Sequence, residues 1–191
     1  TPSVPGTEDQ IDVNFSVEEQ PSGSISATVG FAEDTGLILG LQYQESNVFG
    51  TGNSINIGVN RSDYQEALNF SFFDPYFTVD GVSRGYSVFF RRSDFGDFNI
   101  ASFSTDSYGV SMNFGYPISE ISRISFSLGY ENTNIKEGII PAQEISEFVN
   151  KEGNKFDLLS ISASYSMSAL NRGLLPTAGK SQSISFEMTI P

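Results

Sequence analysis

Hydrophobic and small polar residues alternate with a period of two along most of this chain. In its second such segment, Leu37, Leu39 and Leu41 alternate with Gly40 and Gln42. Successive side chains of a β-strand point to opposite faces of a sheet, so each segment builds one apolar and one polar face. The pattern predicts an all-β protein with nine wall strands, at about 24–31, 36–46, 54–61, 66–73, 84–93, 106–116, 121–132, 157–169 and 180–190.

The polar half of this alternation consists mostly of short, uncharged side chains. Ser160, Ser162 and Ser164 form one such series, and the segment 180–190 contains another. A soluble β-sandwich or a lipocalin-like barrel would also alternate. Rows of short hydroxyls, however, suit the confined, wet interior of a barrel whose apolar face contacts lipid. We therefore predict an antiparallel, up-and-down transmembrane β-barrel, with membrane lipids as its surroundings.

The number of strands bears on closure of the barrel. Bacterial single-chain barrels close with even numbers of strands. The ninth alternating segment is followed directly by Pro191. We expect an incomplete barrel, in which nine strands are part of a larger wall. Its free edges could close on each other or self-associate with a second copy of the chain.

Composition and charge exclude several functions. The chain has 191 residues, a net charge of −13, and neither His nor Cys. Ten scattered Lys and Arg do not form the basic patch that nucleic acid requires. A serine triad lacks its His, a thiol nucleophile is absent, and no acidic cluster suggests a metal. We predict no enzyme activity, no catalytic residues, no metal and no cofactor.

The acidic residues have a distinctive distribution. Nearly all of the 23 Asp and Glu fall in tails, turns, loops or predicted strand ends. Glu187 is the exception, inside the last strand on its polar face. This segregation is expected when one face of each strand cannot tolerate charge.

The connections between strands predict two different ends of the barrel. Turns at 47–53, 74–83, 117–120 and 170–179 share one end, and loops at 32–35, 62–65, 94–105 and 133–156 share the other. Outer-membrane barrels have short periplasmic turns and longer exterior loops, which assigns the first group to the periplasm. Within the longest loop, Pro141–Asn150 fits either a short helix or an irregular loop.

The first residues differ from the rest of the chain. Residues 10–19 alternate, but the break at Pro21-Ser22-Gly23 separates them from the wall strands. We interpret 1–22 as the last strand of a preceding soluble domain with its linker, and 23–191 as the N-terminal part of the barrel.

Three of the turns on the periplasmic side carry distinctive motifs. They are Asn47-Val-Phe-Gly-Thr-Gly-Asn53, Asp74-Pro-Tyr-Phe-Thr-Val-Asp-Gly-Val-Ser83 and Leu170-Asn-Arg-Gly-Leu-Leu-Pro-Thr-Ala-Gly179. Glycine permits a positive φ, and Asp-Pro and Asp-Gly favour turns. Tyr76 and Phe77 are available to plug the barrel rim. The candidate site residues are Gly50, Thr51, Gly52, Asp74, Pro75, Tyr76, Phe77, Asp80, Gly81, Arg172, Gly173, Pro176 and Gly179.

Together with the Asp34-Thr35-Gly36 turn, these motifs resemble the N-terminal half of the barrel in the BamA family of outer-membrane protein assembly factors. The resemblance covers essentially the whole chain and begins in the last strand of the final POTRA domain. It implies location in the outer membrane of a Gram-negative cell, with the N-terminus in the periplasm. It also implies a role in folding and inserting nascent β-barrel proteins, with accessory lipoproteins as partners.

The resemblance further implies a template strand. In the family, the first wall strand pairs weakly with the last, and its edge pairs with a strand of the substrate. Gly23 and Gly30 would weaken this strand, although Gly30 also fits a simple turn. A passive outer-membrane pore or a two-partner secretion transporter is the alternative, because either would share the polar-lined wall. The residues that match the template strand are Ser24, Ile25, Ser26, Ala27, Thr28, Val29, Gly30 and Phe31.

Overall fold

The computed structural model describes residues 13, 15–33, 35–96, 102–138 and 141–191. Nine strands form one antiparallel sheet, in which each strand pairs with its neighbours in the sequence. Within the described residues, β1 and β9 are the two edges, so the sheet is open. The strands are β1 Gly23–Ala32, β2 Gly36–Glu45, β3 Ser54–Arg61, β4 Gln65–Asp74, β5 Ser83–Asp94, β6 Phe103–Ser119, β7 Ser122–Glu137, β8 Lys155–Leu170 and β9 Gly179–Ile190.

All nine predicted strands are present, which confirms the predicted class of an incomplete up-and-down barrel wall. β6 and β7 are longer than predicted, because their ladder continues to the pair Phe103 and Glu137, beyond the last apolar alternation. The predicted segregation of acids is therefore partly wrong, since Asp106 and Glu131 lie inside these strands. At the other end of this hairpin, the register shifts between Pro117 and Ser119.

The predicted strand over 10–19 is not seen in its described part. Residues 13 and 15–19 have no regular secondary structure, and residues 10–12 and 14 lie outside the described residues. A strand needs a neighbour for its backbone hydrogen bonds, and no strand of the described residues pairs with this segment. Assignment of 1–22 to a preceding domain stays a prediction.

The register of the sheet separates two chemically different faces. One row across all nine strands is entirely apolar or aromatic: Ile25, Tyr43, Ile57, Phe70, Val88, Val110, Tyr130, Leu159 and Ile190. The adjacent row, on the opposite face, is polar or small: Ser24, Gln44, Asn56, Ser71, Ser87, Ser111, Gly129, Ser160 and Thr189.

The apolar face is not covered by protein. No hydrophobic residue among those described is buried, and Leu39, Ile57 and Phe126 expose 42%, 39% and 54% of their surface. Ser83, Ser93 and Ser107, on the polar face, are buried instead. An apolar surface of this extent requires a nonaqueous neighbour, so the apolar face is the lipid-facing side of the wall.

Crowding identifies the polar face as the inner side of the wall. A Cβ added at Gly58 would lie 2.5 Å from Oδ1 of Asn69, and one at Gly109 would lie 2.5 Å from the Phe89 ring. Both glycines belong to the polar face. Side chains from neighbouring strands converge on the concave side of a curved sheet, and small residues there make room for larger neighbours.

The connection between β7 and β8 contains the helix α1, Gln143–Glu152. The sequence of this segment fits either a short helix or an irregular loop, and the structure shows a helix that begins two residues after Pro141. Phe148 of α1 stacks on Phe156 of β8, with the ring centroids 5.5 Å apart. This contact attaches the helix to the long-loop end of the sheet. None of the helices among the described residues combines the length and hydropathy needed to cross a membrane.

Candidate functional site: a free strand edge and three structured turns

The eight predicted template residues, 24–31, all lie in β1 at an edge of the sheet. β1 pairs with β2 from Gly23 opposite Glu45 to Ala32 opposite Gly36. Its other side has no neighbour within the described residues. An edge strand presents unpaired N–H and C=O groups that can accept another strand. The structure therefore brings the predicted residues together in one continuous strand, whose second side faces no strand of the described residues.

Both glycines of β1 belong to its ladder, Gly23 at the first pair and Gly30 within it. Gly30 pairs with Ile38, so the alternative interpretation of Gly30 as a turn residue is wrong. A Cβ at Gly30 would meet only Ile38 Cβ, at an ordinary 3.9 Å. Packing thus leaves room for a side chain at Gly30, and the glycine lowers the stability of the strand without a steric reason.

The first turn motif is a hydrogen-bonded unit built around Asn47. The Asn47 Oδ1 accepts a hydrogen bond from the Gly52 N–H at 2.7 Å, and the Thr51 hydroxyl donates to the Val48 carbonyl at 2.6 Å. Gly50 and Gly52 both have φ of 76°, as predicted. Phe49 also has a positive φ, 52°, and its side chain is 98% exposed.

The second turn motif is held by a buried carboxylate. Asp74 accepts a hydrogen bond from Arg84 Nε at 3.2 Å and another from the Tyr76 N–H at 3.2 Å. The Phe77 ring lies 4.0 Å from the Arg84 guanidinium carbon. Phe77 therefore supports the ion pair, whereas Tyr76 is exposed within the described residues, and a role of either ring in plugging the rim stays a prediction. Gly81, which follows Asp80, has φ of 81°.

The third turn motif is organised by Asn171. Its Oδ1 accepts hydrogen bonds from the N–H groups of Thr177 and Ala178, at 3.1 and 3.2 Å. Arg172 donates to the Thr177 hydroxyl at 2.9 Å. The turn also includes Gly173 and Pro176 and ends at Gly179, with φ of 116°; Leu175 has φ of 50°.

These three turns lie at the same end of the sheet and share a mode of stabilisation. In each, the side-chain oxygen of an Asn or Asp at the start of the turn accepts backbone N–H groups. Sequence reasoning emphasised glycines and aromatics and missed Asn47, Asn171 and Arg84. The available signal was an Asn or Asp at the first turn position, which favours such bonds.

In the fourth motif, Gly36 has φ of 65°, and Asp34 lies outside the described residues.

The arrangement of β1 is suited to strand pairing. Across the described ranges, no three Asp or Glu gather in a way that could hold a metal. The chemistry available at the site is backbone hydrogen bonding along β1.

Comparisons with known proteins show which families and proteins this chain is similar to. Residues 47–191 match the model of the Omp85 superfamily domain. The outer membrane protein assembly factor BamA of Neisseria meningitidis serogroup B is 29% identical over 196 aligned residues, which cover 97% of this chain and 25% of that protein. The BamA of Buchnera aphidicola is 27% identical over 162 residues, covering 80% of this chain and 26% of that protein.

A solved structure resembles the whole chain. The crystal structure of BamA from Haemophilus ducreyi lacking POTRA domains 1-3 gives a TM-score of 0.68 and 28% identity, over 100% of this chain and 38% of that one. The chain thus spans about a quarter of the length of the curated relatives it matches.

Proposed function

Because the chain belongs to the Omp85 superfamily and forms part of a β-barrel of the Gram-negative outer membrane, we propose that it acts in the assembly of outer-membrane proteins. Two curated relatives bear the name of assembly factor, which supports this proposal. Their name describes assembly and no catalysed reaction, in keeping with a strand-pairing site.

The proposed mechanism is strand addition at β1. The eight residues Ser24–Phe31 provide the free edge, and the backbone of a nascent β-barrel protein pairs with it. The observation that supports this proposal is that all eight residues form one regular strand, which within the described residues pairs with β2 alone. Gly30, which packing does not require, keeps the strand weak enough to exchange partners.

The proposed topology places the three structured turns in the periplasm. The connections at this end are compact and hydrogen-bonded, whereas the other end carries the connection with α1. Long exterior loops and short periplasmic turns are usual in outer-membrane barrels. A periplasmic N-terminus follows, with residues 1–22 as the end of a POTRA domain and accessory lipoproteins on the same side.

Proline substitution in the full-length parent tests the template role. In an antiparallel edge strand, the N–H groups of neighbouring residues point to opposite sides of the strand. One of the two substitutions Thr28→Pro and Val29→Pro therefore removes a donor from the free edge, and the other removes a donor from the β1–β2 ladder. We expect the free-edge variant to slow maturation of a reporter outer-membrane protein by at least about tenfold, because proline removes a donor and blocks pairing. Thr28→Ser and Val29→Ile are the matched controls.

The readout is the rate at which the reporter acquires its heat-resistant folded form in proteoliposomes. The heat-resistant form of the parent itself reports whether each variant is folded. Maturation at the parental rate in both folded proline variants would refute the template role.

A passive pore, or a two-partner secretion transporter, remains the second candidate. The row of hydroxyls and amides from Ser24 to Thr189 on the inner face favours it, since such a wall also suits a water-filled channel. Substrate-independent conductance in a lipid bilayer, with no assembly defect on depletion of the parent, would support this candidate over the first.

A further inference from the structure

A row of charged side chains crosses the lipid-facing side of the sheet at its long-loop end. The last row that continues the apolar face there has Val59, Leu68 and Phe90 on β3–β5, and it ends in Asn132 and Asp157 on β7 and β8. The next row on the same face is what we call the ionic row: Arg61, Glu66, Arg92, Asp106, Asn134 and Lys155, aligned on β3–β8. Charge on this face is tolerated only beyond the hydrocarbon, so the ionic row lies at the headgroup level.

The part of the ionic row on β5–β8 directs positive charge outward. Asp106 is contacted by both Arg92, at 2.8 Å, and Lys136. The Asp106 side chain is 17% exposed, whereas those of Arg92 and Lys136 are 49% and 47% exposed. The carboxylate is covered and holds two outward cations in place, which leaves this cluster with one net positive charge.

A shallow cavity of about 510 Å³ adjoins this cluster on the same face and has Lys155 in its lining. Of its two carboxylates, Asp106 is held by the two cations, whereas Asp157 accepts hydrogen bonds from neutral groups, the Tyr130 hydroxyl and Asn132, at 2.5 and 2.7 Å, and keeps its charge. Lys155 makes no salt bridge within the described residues. Counted together, the three cations Arg92, Lys136 and Lys155 exceed the two carboxylates Asp106 and Asp157 by one positive charge, which is the charge left for a ligand.

The opposite end of the ionic row differs. There, Asp63, Glu66 and Asp94 line a cavity together with Arg61 and Arg92. Because carboxylates outnumber cations at this end, it does not favour an anion. The site is restricted to β5–β8.

We propose that Arg92, Lys136 and Lys155 form a binding site for the phosphate-bearing headgroup of an anionic lipid in the leaflet at the long-loop end. Continuity with the apolar face supports a lipid occupant, whose chains would cover Phe90 and, one row further from the loops, Val110 and Leu159. Tyr108 and Tyr130 line the same cavity, and tyrosine is favoured at the membrane–water interface. Long cationic side chains extend to the headgroups and attract anionic lipid. The proposal rests on the outer-membrane location and not on the role in assembly.

The experiment measures lipid selectivity around the full-length parent. The protein is reconstituted in phosphatidylcholine vesicles that contain spin-labelled phosphatidic acid or spin-labelled phosphatidylcholine, and the motionally restricted fraction of each label is compared. The test variant is Lys136→Gln with Lys155→Gln, which leaves the Arg92–Asp106 pair intact. The control is Arg91→Gln with Lys151→Gln, which removes the same charge from the opposite face of β5 and from α1.

We expect the parent to prefer the anionic label and the test variant to lose most of that preference, by several-fold, since each cation near the surface contributes roughly a factor of five. The control should keep the parental preference. Salt should weaken the preference of the unmodified parent by screening, which tests the site without a substitution. Equal loss in both double variants, an unchanged preference in the test variant, or a parental preference that salt does not affect would overturn the proposal.

Discussion

At the scale of single residues, the turns depend on a few polar side chains that accept several hydrogen bonds. Asp74 is the most buried of them and has contacts with Arg84 and the Tyr76 N–H. Removing one partner of a largely buried pair leaves the other without compensation. These residues therefore matter for the shape of the turn end.

Asp74→Ala should lower the free energy of unfolding by about 2–3 kcal/mol, because Arg84 and the Tyr76 N–H lose their acceptor. Urea unfolding of the parent in lipid, followed by loss of its heat-resistant form, measures the change. Asp80→Ala, an exposed carboxylate of the same turn, should shift stability by less than about 0.5 kcal/mol. Similar losses for the two variants would contradict the role given to Asp74.

Phe49→Asn should raise the free energy of unfolding by about 0.5–1 kcal/mol, because Asn tolerates the left-handed φ of 52° better than Phe. The side chain is exposed, so no packing is lost within the described residues. The same urea assay applies. Phe77→Asn is the contrasting variant and should destabilise, since it removes the ring against Arg84. Destabilisation by Phe49→Asn would show that the Phe49 ring has a partner.

The sequence predicted part of this residue-scale picture. The positive φ of Gly50 and Gly52 followed from the general freedom of glycine at chain reversals. The exposure of Tyr76 could not be foreseen, because it depends on how Asp74 and Arg84 hold the turn.

At the scale of elements, the period of two located every strand but not every strand end. β6 and β7 extend past the apolar alternation into residues such as Asp106 and Asn134. Hydrogen bonding of the ladder continues where the hydrocarbon ends, so the apolar pattern marks the membrane and not the strand. The ionic row could not be predicted from the sequence either, because its members align only through the register of six strands.

Gly30→Val should strengthen pairing of β1 with β2, because a β-branched residue replaces glycine at a position with free space. We expect roughly 0.5–1 kcal/mol greater protection in hydrogen exchange of the backbone amides of β2. If β1 must exchange partners, reporter maturation should slow in parallel. Gly109→Val is the matched control and should destabilise the sheet, because its Cβ would meet the Phe89 ring at 2.5 Å. Unchanged amide protection in Gly30→Val would contradict a weakening role for this glycine.

At the scale of the whole molecule, the sheet has inverted polarity relative to a soluble protein. None of its described hydrophobic residues is buried, and serines are among the buried ones. The sequence predicted this inversion from the shortness of the polar side chains. The open edges and the relation to the rest of a longer protein required the structure and the comparisons.

Val88→Lys should cost about 2–4 kcal/mol of folding free energy, because it places a charge near the middle of the lipid-facing side. Gln44→Lys, an exposed position on the inner face, should cost less than about 1 kcal/mol. Unfolding of the parent in lipid vesicles compares the two. A larger cost for Gln44→Lys than for Val88→Lys would show that the lipid-facing and inner faces are assigned the wrong way round.

The two-residue period of β1 has a consequence for the register in which another strand can pair with it. A strand that pairs with this edge in the matching register places its apolar side chains beside the apolar face and its polar side chains beside the polar face. A shift of one residue would turn every polar side chain of the added strand toward the acyl chains. Each misplaced group would raise the energy of the slipped arrangement. The bilayer itself would thus disfavour misaligned strands. If β1 is the proposed template, its backbone need not recognise the side chains of the strand with which it pairs.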